Sequence, residues 1–367
     1  MKKIMKYLPA LSFAIGICVA QHSYAAGNKL AVYNWTEYLP KSVISSFEKK
    51  TGISVQYDVF DTAETLEAKL LTGNSGYDLA FPSHDRLPTL VKAGAIIEID
   101  HSKLSNWKNL DPEFLKNLAK TDPGNAHAVP YLWGTTLIGY NKDKVQAAFK
   151  GEPIPNSWSL VFDPQYASKV KDCGVAFIDA PNEVFSIALR YLGLDPNASD
   201  QPSLEKARDL LMQARPNITY FHSARWLQDL ANGDICVVVG YSGGVAMARD
   251  LAQSNGSKVQ IGLIMPDEGA LAWSDDMVIP KGAKNIEEAY KFIDYIQRPE
   301  IIAQISNVIG YPNANPASSG MIDPSRLADE ALFIPEEKRE KLFFQNVQAF
   351  SAERMKTRYW NTVKSGQ

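Results

Sequence analysis

Two clusters in this chain pair aromatic rings with carboxylates. Trp35, Thr36, Glu37 and Tyr38 directly follow an apolar, strand-like run at 30–33, and Trp273 with Asp275 repeats the combination far down the chain. A ring face attracts an ammonium through its quadrupole, an effect of roughly 0.5–2 kcal/mol depending on desolvation. A carboxylate adds a charge-assisted hydrogen bond. Set on opposite walls of one cleft, the clusters suit a small molecule with several amines.

Other chemistries find less support. Gly240-Tyr-Ser-Gly-Gly244 matches the G-x-S-x-G nucleophile elbow and sits at a strand-to-helix junction. A hydrolase of that type needs its histidine after the serine, whereas all five histidines, His22, His84, His101, His127 and His222, precede Ser242. Those histidines are scattered, with neither helical spacing nor cysteine partners, so no metal site is expected. No glycine loop followed by Lys and Ser or Thr is present, and no cofactor is expected. Glu183, taken alone, reads as a first-turn helix acid favoured by the macrodipole.

The clusters need elements to carry them. Strand-like runs at 30–33, 53–60 and 77–81 alternate with a helix from about Lys41 and another opened by Asp61, with Glu64 three residues later as in a capping box. A second set has strands at 175–178, 218–221 and 235–239, with helices from Pro181, Leu204, Ser223 and about Gly243. This alternation predicts an α/β fold with mainly parallel sheets flanked by helices. Long β-leaning stretches at 127–141 and 259–265 read as strands crossing between two lobes. The predicted division is 26–134 with 260–308 for the first lobe and 135–259 with 309–367 for the second. Ligands of open α/β sheets sit beyond the carboxyl ends of the strands. Trp35 to Tyr38, Ser83, Asp85, Glu183 and Tyr241 all fall at such ends.

Residues 1–25 carry Lys2, Lys3 and Lys6, then an apolar stretch at 8–20, then Ser23-Tyr24-Ala25, the pattern of a cleaved secretory signal peptide. Its loss would remove three positive charges and take the formal balance from −3 to −6. A mildly acidic chain of this kind argues against nucleic acid as a partner. Cys173 and Cys236 would then remain, and an even count in an oxidising compartment favours one disulfide over two free thiols.

The runs Val32-Tyr-Asn-Trp-Thr-Glu-Tyr-Leu-Pro, Asp172-Cys-Gly-Val-Ala-Phe-Ile-Asp-Ala-Pro-Asn-Glu-Val-Phe, Leu230-Ala-Asn-Gly-Asp-Ile-Cys and Ile309-Gly-Tyr-Pro-Asn-Ala-Asn resemble the periplasmic polyamine-binding proteins of bacterial ABC importers, the putrescine receptors above all. The resemblance implies a type II periplasmic binding protein fold, whose two lobes close over a ligand without catalysis. It implies an aromatic box of Trp35, Tyr241, Trp273 and Tyr311. Polar contacts would come from Thr36, Glu37, Ser83, Glu183 and Asp275, with Asp275 as the main amine anchor. Its departures bear on the ligand. Gly244 stands where putrescine receptors have an aspartate, and Asp85 is expected to replace that acid. Thr36, Glu37, Trp273 and Gln345 look like the spermidine receptors, although Ala180 lacks the acid those receptors use nearby. Spermidine is therefore expected ahead of putrescine, with a nonstandard polyamine as a further option. The expected partners are the polyamine and an inner-membrane ABC permease, served by a monomer. A sensor docking on a membrane signalling protein is the alternative.

Overall fold

The computed structural model describes residues 28–346 and 348–366, so the expected signal peptide lies outside the described residues. Among these, ten strands follow in order: β1 (Lys29–Trp35), β2 (Ser54–Phe60), β3 (Leu79–Ala80), β4 (Val129–Asn141), β5 (Val175–Phe177), β6 (Tyr220–Phe221), β7 (Val237–Tyr241), β8 (Ile261–Ile264), β9 (Leu271–Met277) and β10 (Phe343–Phe344). They form a parallel three-stranded sheet, β2-β1-β3, and a larger mixed sheet, β10-β9-β4-β7-β5-β6, with β8 also paired to β4.

Local chemistry explains the elements. Helix Lys41–Thr51 buries Val43 and Phe47, one turn apart on the same face, and ends at Gly52, whose φ of 72° suits a glycine cap. The predicted cap at Asp61 is corrected. Thr62 accepts from Thr65 N to open helix Ala63–Leu71, which leaves Asp61 free to accept from Thr36. The helix expected from Leu204 begins earlier, at Gln201, because Asp200 caps it through Ser203 N. The one expected from Ser223 begins later, at Trp226.

Two main cores follow from this layout, with a smaller cluster around Phe60, Leu66, Leu70 and Leu87 beside the first sheet. The first packs Phe47, Phe81, Tyr131 and Phe292, and the second Trp158, Phe177, Phe185 and Trp226. Strand β4 joins them, with Val129 and Leu132 in the first core and Leu137 and Ile138 in the second. Two segments differ from the expected division. Ile261, Ile264 and Leu271 pack in the second core before Met277 joins the first, and Tyr311 and Ala314 pack in the first before Ala352, Tyr359 and Trp360 join the second. The reason is that β8 and the start of β9 pair with the distal half of β4, which already belongs to the second core.

Cys173 and Cys236 form a disulfide across a sequence separation of 63. Removing a crosslink that closes a long loop typically costs about 2–5 kcal/mol. The double variant Cys173→Ser, Cys236→Ser should therefore unfold at a clearly lower urea concentration. An unchanged midpoint would show that the bridge adds nothing to stability.

Candidate functional site

Strand β4 is the spine of the site. Its register sets Leu132 opposite Asp275 and Gly134 opposite Trp273 on β9, and Thr136 opposite Tyr241 on β7. Positions 132, 134 and 136 share a strand face, so residues from two distant stretches of sequence meet side by side. An isolated bridge then pairs Ser83 with Asp275. All of the residues predicted for the site, Trp35, Thr36, Glu37, Tyr38, Ser83, Asp85, Glu183, Tyr241, Trp273, Asp275, Tyr311 and Gln345, line one cleft, and the residues come from both cores.

The rings form a connected wall. Trp273 meets Tyr311 at 5.2 Å between centroids and Tyr241 at 5.7 Å, both edge-on, and Tyr311 meets Tyr38 at 5.5 Å. Trp35 leans on Phe60 at 4.5 Å. Tyr311 is held by a hydrogen bond from Gly244 N at 3.2 Å and lies so close to Gly243 that a Cβ there would sit 2.6 Å from its ring. Burial pushes the phenols of Tyr38, Tyr241 and Tyr311 up, so all three stay neutral. The Trp35 and Trp273 indole N–H groups and the Tyr38 hydroxyl are buried with no hydrogen-bond partner. Most buried donors are paired, so these three are available to a molecule in the cleft they line.

Two acids set the electrostatics. Asp275, 4% exposed, accepts from Ser83 Oγ at 2.7 Å. Burial pushes its carboxyl up to about 7, against the hydrogen bond from Ser83, and the negative charge of Asp85 adds to the rise. Tyr38 and Trp35 sit close enough to lower it, yet neither reaches hydrogen-bond geometry with it. Glu183 lies in the first turn of helix Pro181–Tyr191 and accepts from Thr136 Oγ1 at 2.6 Å and from the Tyr241 hydroxyl at 3.3 Å. It keeps part of its surface toward the cleft, but it lies deep enough that burial also pushes it up to about 7. A low-dielectric cavity with two such carboxyls favours cations that arrive with their own charge.

The other predicted residues are less central. Glu37 is exposed and holds a left-handed φ of 56°, and Thr36, also exposed, donates to Asp61 at 2.6 Å. Gln345 donates to Ser186 Oγ at 3.3 Å. Asp85, expected to stand in for an acid at 244, already has Arg86 Nε at 3.3 Å. Arg86 went unnoticed in the sequence, although it adjoins a predicted site residue. Its buried guanidinium pairs with Glu64 and Glu67 at 3.1 Å and reaches Glu353, on helix Phe350–Ser365 of the second core, at 3.5 Å. Lys356, 1% exposed on that helix, is pushed down by burial to about 8. Arg86→Met would leave these carboxylates without their cation. Losing one partner of a fully buried pair costs about 3–5 kcal/mol, but water screens Glu64 and Glu353, 60% and 35% exposed, so denaturant unfolding should show a drop smaller than that; an unchanged unfolding free energy would mean that the acids repel one another little.

Residues 42–331 match the family described as bacterial extracellular solute-binding protein. The putrescine-binding periplasmic protein SpuD of Pseudomonas aeruginosa (strain UCBPP-PA14) is 44% identical over 369 residues, covering 100% of both chains. PotF of Escherichia coli (strain K12), also a putrescine-binding periplasmic protein, is 45% identical over 365 residues, covering 99% of this chain and 98% of its own. A solved structure from Listeria monocytogenes, described as a spermidine/putrescine ABC transporter, superposes with a TM-score of 0.81 at 30% identity over 93% of this chain and 100% of its own. The two-lobed α/β architecture is that of the type II periplasmic binding proteins. With a cleft drawn from both cores and relatives that cover it from end to end, the chain belongs to the bacterial extracellular solute-binding proteins and is a binding protein, not an enzyme.

Proposed function

We propose that this protein is exported to the periplasm, captures a polyamine by closing its lobes over the cleft, and delivers it to an ABC permease. The observation that carries the reading is the pair of acids lining the cleft, the buried Asp275 and the half-buried Glu183, each pushed up to about 7 by burial and each beside the aromatic wall. Two such acids match two ammonium groups, and the rings match the methylenes between them.

Putrescine stands ahead of spermidine, which reverses the expectation drawn from the sequence. The relatives at 44% and 45% identity are both named for putrescine. The features that pointed to spermidine are also weaker than they looked, because Glu37 is exposed and Gln345 is engaged by Ser186. The relatives' names favour transport over the sensor alternative. In keeping with the periplasmic relatives, no helix among the described residues is long and apolar enough to cross a membrane.

Calorimetric titration of ligand-stripped protein with putrescine, cadaverine, agmatine, spermidine and spermine tests the reading. Putrescine should bind most tightly. If spermidine binds more tightly, the ligand order is wrong; if no polyamine binds, so is the function.

A further inference from the structure

The cleft wall at Gly244 rests on an indole rather than on a charge. An ideal Cβ built at Gly244 would sit 2.6 Å from Trp226 Cη2 and 3.0 Å from Cζ2, and one at Gly240 would sit 3.2 Å from Cζ2. Trp226 thus packs its six-membered ring against the start of helix Ser242–Ser254, in the volume that any side chain at 244 would claim. It is fixed there: it is 2% exposed, and its indole N–H donates to Ser223 O at 2.9 Å. We propose that Trp226, seated on Gly244, sets the length of amine that this cleft accepts.

The surroundings exclude a further ammonium at this end. Ala224, Leu227 and Met247 line the cleft beside the indole and are apolar. Asp179, which also lines the cleft, is tied to this wall by its N–H, which donates to Ser223 Oγ at 3.2 Å. Its carboxylate is already occupied by Lys364 at 3.0 Å and by the Trp360 indole N–H at 2.6 Å. An ammonium driven against this wall would lose its water and gain no carboxylate, which is unfavourable. Gly244 N also holds Tyr311, so this wall adjoins the aromatic box. The amine must end before it.

This inference rests on the polyamine reading, and the experiment separates the two. Trp226→Leu opens the wall, and Gly244→Ala forces the indole toward the cavity. Each variant, checked for folding by circular dichroism, is titrated with 1,3-diaminopropane, putrescine, cadaverine and spermidine. One methylene in an apolar pocket changes affinity by about tenfold or more. Trp226→Leu should therefore raise cadaverine and spermidine relative to putrescine by about tenfold, and Gly244→Ala should lower them by a similar factor while sparing 1,3-diaminopropane. If Trp226→Leu does not fold, Gly244→Ala alone decides. Wild-type ratios in the folded variants would overturn the wall and leave the polyamine reading intact. Wild-type protein that binds none of these amines would overturn both.

Discussion

Asp275→Asn is expected to weaken putrescine binding by roughly two to three and a half orders of magnitude in Kd. The carboxylate is buried, is oriented by Ser83 and stands before a ring wall, so an ammonium held there has no water to replace the lost charge. Truncating one member of a buried charge pair costs about 3–5 kcal/mol, and 1.4 kcal/mol is about tenfold in affinity. Asparagine keeps the shape, so the free protein should fold as before. Its thermal unfolding above pH 7 should be unchanged or shifted upward, because the substitution removes a charge that burial disfavours. Near-normal affinity in the variant would mean that Asp275 is structural and that the amine is held elsewhere.

Affinity should also climb steeply with pH through neutrality. Burial pushes Asp275 and Glu183 both up to about 7, against an ordinary carboxyl value near 4. Each must be ionised to pair with an ammonium, and alkylammonium groups stay charged across this range, as lysine does at about 10.4. Below about pH 7 the affinity therefore falls toward tenfold per pH unit for each acid that must lose its proton. Binding near pH 6 should release protons, visible as a dependence of the calorimetric heat on buffer ionisation enthalpy.

The stability of the free protein has the opposite sign. A carboxyl raised in the folded state contributes stability that is complete below its unfolded value, near pH 4, and is lost as pH rises through about 7. The ligand replaces that loss, so the polyamine-induced rise in Tm should be larger at pH 8 than at pH 5.5. A Kd and a Tm shift that stay flat from pH 5.5 to 8 would show that neither acid meets the ligand's charge.

Much of this protein can be read without coordinates. The alternation of short apolar runs with helix-period segments is enough for α/β lobes, because a buried parallel strand must be apolar on both faces while its covering helix is apolar on one. Trp35, Ser83, Glu183 and Tyr241 fall at the ends of such runs, where open sheets bind ligands, and Trp273 and Asp275 repeat the pairing of ring and acid. Residue type and local position fixed those choices, since both are properties of short windows. Capping shows where such windows fail. Asp61 and Thr62 are both good caps, and the contact of Asp61 with Thr36, just past the end of β1, decides between them.

What only the tertiary structure decided is how the charges are shared. Asp85 reads as a free acid until Arg86 is seen beside it, itself tied to Glu353 from the far end of the chain. Gly244 reads as a missing charge until Trp226 is found filling its space. Asp275 and Glu183 look like ordinary carboxylates until burial raises both. Apart from the adjacent Asp85–Arg86 contact, each depends on which atoms crowd a group from other elements, and desolvation and pairing act over a few ångströms of space whatever the separation along the chain. Residue types named the chemistry of the cleft; packing set which of its charges remain available to a ligand.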